Sequence, residues 1–379
     1  MPPTRAPIRC LRELSKLHNL PRRRPYSTPP PSPSPPTSPF APRHLLSIAD
    51  LTPAELTTLI LNAYTHKQTL KSGLRLHHSL STSLSGKTVA MTFNKRSTRT
   101  RVSTEGAVAS LGGHPMFLGK EDIQLGVNES LYDTSVVISS MVSAWFARVG
   151  PHSDVAEIAK NSSVPVINAL SDDFHPLQTI ADFLTIHEVF HADRMREGAQ
   201  NKGLGLEGLK IAWVGDANNV LYDLAIASLK LGVHISIATP KTHSIPPPML
   251  SLIRSSTTTT PTPGTITTTN IPSEAVHNAD ILVTDTWVSM GQEHEKAARL
   301  AAFQGFQITK ELAEKGGAKE GWRFMHCLPR KKEEVSDEVF YDQGRSLVWR
   351  EAENRLWAAL AVLEGFVVNR GKIEGSGRG

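Results

Sequence analysis

Nine residues, Phe93-Asn94-Lys95-Arg96-Ser97-Thr98-Arg99-Thr100-Arg101, join an apolar run to a helical pattern. The helix start carries the cations Arg99 and Arg101 and the hydroxyls Ser97, Thr98 and Thr100. Free backbone N–H groups and the helix dipole already favour an anion there. Guanidinium groups add planar, two-pronged recognition of phosphate or carboxylate oxygens. No glycine-rich run or Gly-Lys-Ser/Thr precedes the helix, so this is not a Walker loop. An exposed basic helix start is the plainer alternative, but the alternation of hydroxyl and cation favours phosphate.

Three further groups lie where apolar runs end. His175-Pro176-Leu177-Gln178 places two neutral donors one helical turn apart, able to polarise a carbonyl or, more plainly, to cap a helix. Gly215-Asp216-Ala217-Asn218-Asn219-Val220 occupies the place of a dinucleotide fingerprint but lacks its glycine pattern, which disfavours a nicotinamide enzyme. Asn218 and Asn219 offer amides for a small polar ligand, or one of them a helix cap. Asp285 closes an apolar strand in Asp285-Thr286-Trp287-Val288-Ser289-Met290-Gly291, and a buried acid there needs a cation such as a substrate ammonium. In His326-Cys327-Leu328-Pro329-Arg330 the histidine beside Cys327 suggests a nucleophile, while a thiol packed as a small apolar residue is the alternative.

The elements that must position these groups alternate. Strand patterns at 88–93, 115–118, 144–147 and 164–168 interleave with helical patterns at 44–72, 97–111, 131–141 and 176–190. A second series has strands at 210–214, 233–238, 281–284 and 322–325, with helices at 221–231, 293–303 and 349–368. Such alternation predicts an α/β protein of two domains, each a parallel sheet flanked by helices, joined through the 176–190 helix. The expected boundaries are 44–180, 181–348 and a C-terminal helix over 349–370 that packs back on the first domain, with a flexible tail at 371–379. Residues 255–271 carry nine threonines and no charge, which predicts a solvated loop whose removal leaves activity nearly unchanged.

Charge is unevenly placed along the 379 residues. Residues 1–43 contain eight basic side chains, one acid and 13 of the 26 prolines. Of the net charge of +5, this leader carries +7, which leaves −2 for the rest. An Arg-rich, Ser-containing, acid-poor leader matches a mitochondrial transit peptide, and implies delivery to the matrix; a disordered basic tail is the alternative. No nucleic-acid partner is then needed to explain the basic balance, and no apolar run is long enough to span a membrane. The two cysteines, Cys10 and Cys327, fall one in the leader and one in the body, so no disulfide framework exists.

Ser97-Thr98-Arg99-Thr100-Arg101, His175-Pro176-Leu177-Gln178 and His326-Cys327-Leu328-Pro329-Arg330, in that order, resemble the signatures of the aspartate/ornithine carbamoyltransferase family. The resemblance runs from about residue 44 to 370 and is similar to the ornithine branch in Ser289-Met290-Gly291 and Cys327. It implies carbamoyl transfer from carbamoyl phosphate to the δ-amine of ornithine, without a cofactor or metal. It further implies that Ser97, Thr98, Arg99 and Thr100 hold the phosphate, with Gln124 reaching a neighbouring subunit's phosphate. Arg148, His175 and Gln178 would hold the carbamoyl group, with Arg355 of the last helix nearby in the carbamoyl-phosphate site, and Cys327 and Leu328 would line the reacting centre. Asn219, Asp285, Ser289 and Met290 would hold ornithine, and the assembly would be a homotrimer with shared sites. Asn94 stands where many relatives have an acid, and Gln124 is histidine in some. Putrescine or an acetylated ornithine as acceptor, and a non-catalytic binding protein on the same fold, are the rival expectations.

Overall fold

The computed structural model describes residues 41–122, 129–196, 203–257, 260, 262–289 and 293–375. The first half runs α1 (Pro53–Lys71), α2 (His78–Ser81), β1 (Thr88–Phe93), α3 (Thr98–Ser110), β2 (His114–Gly119), α4 (Leu131–Met141), β3 (Ala144–Arg148), α5 (His152–Asn161), β4 (Val166–Leu170) and α6 (Pro176–Arg196). Its four strands are parallel in the order β2-β1-β3-β4. The second half runs β5 (Lys210–Val214), α7 (Asn219–Lys230), β6 (His234–Ala238), α8 (Pro247–Ser255), β7 (Ile266–Thr269), α9 (Pro272–Val276), β8 (Ile281–Thr284), α10 (Lys296–Ala302), α11 (Lys310–Lys315), β9 (Arg323–His326), α12 (Asp337–Phe340) and α13 (Val348–Leu363). Five parallel strands form its sheet, in the order β7-β6-β5-β8-β9.

Local chemistry accounts for the element starts. Thr52 caps α1 reciprocally with Glu55, and Pro53 fills the first position, where its missing N–H costs nothing. Asn218 caps α7 by accepting from Val220 and Leu221 N–H. The central strands are buried along nearly their whole length, as parallel strands covered on both faces must be. One apolar cluster runs through both halves, joining Ile180 and Phe183 of α6, Leu221 and Leu224 of α7, and Leu360 and Leu363 of α13. The last helix thereby packs against α3, α6 and α1. Among the described residues no helix is long and apolar enough to cross a membrane.

Residues 47–51 bridge the halves by polar contacts. Asp223 on α7 accepts from Ser47 Oγ at 2.8 Å and Ile48 N–H at 2.9 Å. Two turns on, Lys230 donates to the carbonyls of Ile48, Ala49 and Leu51. Burial pushes Asp223 up to about 7 and Lys230 down to about 8.

The threonine-rich stretch is not a plain loop. Ile266–Thr269 pairs with Ile235–Ala238 as the edge strand β7, so deleting 255–271 would strip one side of β6. Threonine is β-branched and suits a half-exposed edge, a propensity masked by the run's low complexity. At the turn into β7, a Cβ on Gly264 would lie 1.9 Å from the Val233 carbonyl oxygen. Gly264→Ala is therefore expected to destabilise the protein by about 1–3 kcal/mol. Thr262→Ala, at an exposed site, should stay within about 0.5 kcal/mol of wild type. Thermal midpoints of the two variants check this.

Candidate active site

The loop after β1 delivers Ser97 in extended backbone just before α3. Its hydroxyl makes no capping bond and instead donates to Thr100 Oγ1 at 3.0 Å, so the first-turn N–H groups keep no side-chain cap. Arg99 donates to the Leu328 carbonyl, which brings the far sheet's last loop onto this helix start. The two cations of the motif part company here. Arg101 turns outward, pairs with Glu105 at 2.9 Å and lies 3.8 Å over the Phe117 ring. Of the two, Arg99 faces the Leu328 loop and Arg101 faces outward.

Around Arg99 stand three buried groups from three elements: Arg148 at the end of β3, His175 before α6 and Arg355 on α13. Arg355 donates to Gln178 Oε1 at 2.7 Å, to Thr100 Oγ1 at 3.3 Å and to His175 Nε2 at 3.4 Å. Since a guanidinium can only donate, Nε2 accepts and the imidazole proton lies on Nδ1. That Nδ1, with Arg148 Nε and Arg355 Nε, is buried without a partner among the described residues. Burial, then Arg355, Arg148 and Arg99, hold His175 well below 6.5, so it is a neutral donor at physiological pH. Burial also pushes Arg148 and Arg355 down to about 10, the mark of cations with too little counter-charge. Such an arrangement suits an anion.

Gln178 departs from its expected role. Its amide N–H groups are taken by Asp182 at 2.8 Å and Glu351 at 3.0 Å. Its oxygen, facing Arg355, has one lone pair left, so it can accept from a ligand but not polarise a carbonyl. Burial raises Asp182 to about 7 and Glu351 well above 4.5, and the two carboxyls are hydrogen-bonded to one another. A single proton between them resolves the repulsion. Neither acid was identified from sequence. The available signal was spacing: Gln178 and Asp182, like Glu351 and Arg355, are four residues apart on one helix face.

Across from these groups, Cys327 donates its thiol to Asp285 Oδ1 at 3.0 Å, and Asn218 donates to Asp285 Oδ2 at 2.8 Å. Although part of Cys327 meets solvent, the atoms packed around it, then the Asp285 charge, push the thiol well above 9. His326 is no activating partner, because its ring nitrogens engage Glu334 and the Leu328 N–H. Asn219 donates to the Ser171 carbonyl at 2.6 Å, so the neighbouring Asn218, also the α7 cap, is the amide on Asp285. Asp216, buried and paired with Arg299 at 3.2 Å, is raised to about 7, chiefly by burial. Ser289 is partly buried, whereas Gln124 and Met290 lie outside the described residues.

Residues 43–188 match the model of the carbamoyl-P binding domain of aspartate/ornithine carbamoyltransferase, and 207–366 match that of the Asp/Orn binding domain. The chain is 69% identical over 340 residues to the mitochondrial ornithine carbamoyltransferase of Emericella nidulans, covering 90% of this chain and 93% of that one. A crystal structure of a mitochondrial ornithine carbamoyltransferase from Coccidioides immitis superposes with a TM-score of 0.81 at 63% identity, covering 88% of this chain and 100% of that one. Ornithine carbamoyltransferase from Pyrococcus furiosus superposes at 0.76 with 40% identity, covering 87% and 98%. With two domain matches in chain order and identities this high over whole relatives, the chain belongs to the aspartate/ornithine carbamoyltransferase family.

Proposed function

We propose that the chain transfers the carbamoyl group of carbamoyl phosphate to the δ-amine of L-ornithine, giving L-citrulline and phosphate in arginine biosynthesis and the urea cycle. The observation that carries this is the gathering of Arg99, Arg148 and Arg355 around a neutral His175, with the Cys327–Asp285 pair close by. Similarity to ornithine carbamoyltransferases over nearly the whole chain supports it. Ser97, Thr98, Arg99 and Thr100, with the α3 N–H groups, take the phosphate. His175 Nδ1–H and Arg355 donate to the carbamoyl oxygen, and Gln178 Oε1 accepts from the carbamoyl N–H. Leu328, held by Arg99, lines that group.

The neutral δ-amine forms the new C–N bond as the C–O bond to phosphate breaks, and the electron pair leaves with phosphate. Charge developing on the carbamoyl oxygen meets donors already in place, so little reorganisation is required. Cys327, a thiol well above 9 that already donates to Asp285, is no proton acceptor. Asp285, with Asn219, Ser289 and Met290, is the seat of ornithine, and the amine proton leaves with the phosphate that takes the electron pair. An α-ammonium on Asp285 favours ornithine over an acetylated analogue. The residues act directly on the two substrates, without a metal or organic cofactor.

Exposed apolar side chains support a homotrimer with sites shared between subunits. Met116 on β2 and Tyr132, Val136, Val137 and Met141 on α4 are exposed. Exposed apolar groups such as these suit a protein interface, and β2 is the sheet's open edge. The leader's composition, with relatives named mitochondrial, supports action in the mitochondrial matrix.

Arg99→Ala is expected to lower citrulline formation by about 10²–10³-fold; full activity in that variant would overturn the phosphate assignment. Ornithine's free δ-amine, with a pKa of about 10.4, should make kcat/KM for ornithine climb about tenfold per unit above pH 7 and level off once the α-ammonium held by Asp285 titrates, at about 8 for an α-amino group. His175, already neutral, and Cys327, still protonated, add no step in that window, so a flat profile would exclude attack by the neutral amine. Val137→Glu should convert a three-chain mass in analytical ultracentrifugation to one chain, with loss of activity.

A further inference from the structure

We infer that Glu334 and His326 are positioning residues that lock the two substrate loops, 285–289 and 326–328, into one register. This rests on the proposed carbamoyl transfer, in which Asp285 and Ser289 belong to one loop and Cys327 and Leu328 to the other. His326 is fully buried and Glu334 is 1% exposed. One oxygen of Glu334 accepts from the Trp287 N–H at 3.2 Å, in the middle of the first loop. The other accepts from His326 Nε2 at 3.1 Å and from the Lys331 N–H at 2.7 Å. Lys331 then reaches back with Nζ to the Val288 carbonyl at 2.9 Å. A single carboxylate therefore spans both loops.

The histidine carries the constraint onward to the reacting centre. Its Nδ1 accepts from the Leu328 N–H at 2.9 Å, so the ring proton lies on Nε2 toward Glu334. Leu328 has φ 62, a conformation uncommon for a residue with a side chain and kept only where surroundings impose it. Its N–H is fixed by His326 and its carbonyl by Arg99. The chain Glu334–His326–Leu328–Arg99 thus runs from the ornithine loop to the phosphate helix. Cys327, between His326 and Leu328, takes its aim at Asp285 from the same backbone. Stability alone would ask only that a buried histidine and acid be paired. It would not require both to hold backbone groups of the two substrate loops.

The test compares His326→Gln with His326→Leu in the full-length enzyme. A glutamine amide supplies an acceptor and a donor side by side, as the imidazole does; leucine fills space and supplies neither. Steady-state rates are measured at 25 °C, per folded chain, with thermal midpoints alongside. His326→Gln should stay close to wild type, while His326→Leu should lose about tenfold or more in kcat and raise KM for ornithine, as expected for misplaced reacting groups. Glu334→Gln, with one N–H facing a backbone N–H, should shift the same two constants, and Glu333→Gln should shift neither. If His326→Leu fails to fold, Glu334→Gln against Glu333→Gln decides alone. Equal kcat and KM in all folded variants, with only the midpoints changed, would overturn the positioning role. A wild-type enzyme that forms no citrulline would instead overturn the proposed function.

Discussion

A buried guanidinium governs this site. Arg355, 2% exposed on the last helix, donates to Thr100, His175 and Gln178, which come from two different helix starts. Burying a cation is tolerable only with partners around it, and neutral oxygens and an imidazole compensate poorly. Two carboxyls behind Gln178 supply the missing charge, yet their own proximity makes them share a proton. What results is a surplus of positive charge on the ligand side and a satisfied network on the core side. That asymmetry prepares a place for a phosphoryl anion before any ligand arrives. It also explains why the chain can be slightly acidic outside its leader while binding an anionic substrate.

The same network sets each member's job through hydrogen-bond capacity. Gln178 spends both N–H groups on acids and so presents oxygen; His175 spends Nε2 on Arg355 and so presents a proton on Nδ1. One accepts and the other donates, matching the N–H and C=O edges of a carbamoyl group. On the opposite side, Asp285 accepts from the Cys327 thiol, which keeps the thiol a donor and leaves a carboxylate to face a cation.

Much of this was legible in the sequence because it is local. Strand-to-helix transitions placed β1, β5, β8, α3, α4 and α6 close to where they lie, and the motif at 97–101 sits on a helix start as expected. Asp285 and Cys327 stand out in the sequence as chemical groups at strand ends, and they meet. The missing parts are long-range. Glu351 lies 173 residues from the Gln178 it orients, and nothing short of the fold brings α13 over α6. Arg101 was indistinguishable from Arg99 on the motif, since facing depends on whether a ring such as Phe117 waits on β2. Strand β7 was hidden by composition: threonine repeats look like linker, and only pairing with β6 makes them a sheet edge.

Helix α7 shows how the fold reaches the site from a distance. Asp223 accepts not only from Ser47 and Ile48 but also from the His175 N–H at 2.8 Å. The residue that opens α6 is thus tied to the chain's early segment and to a helix of the other sheet by one fully buried carboxyl. Lys230 closes the same segment from below by taking its carbonyls. Donor and acceptor on α7 are seven residues apart, two turns on one face, so a single rigid helix fixes both ends of 47–51. Any rotation of α7 that moved Asn218 and its bond to Asp285 would also pull on His175. The carbamoyl side and the ornithine side are therefore aligned by a mechanical link that touches neither substrate.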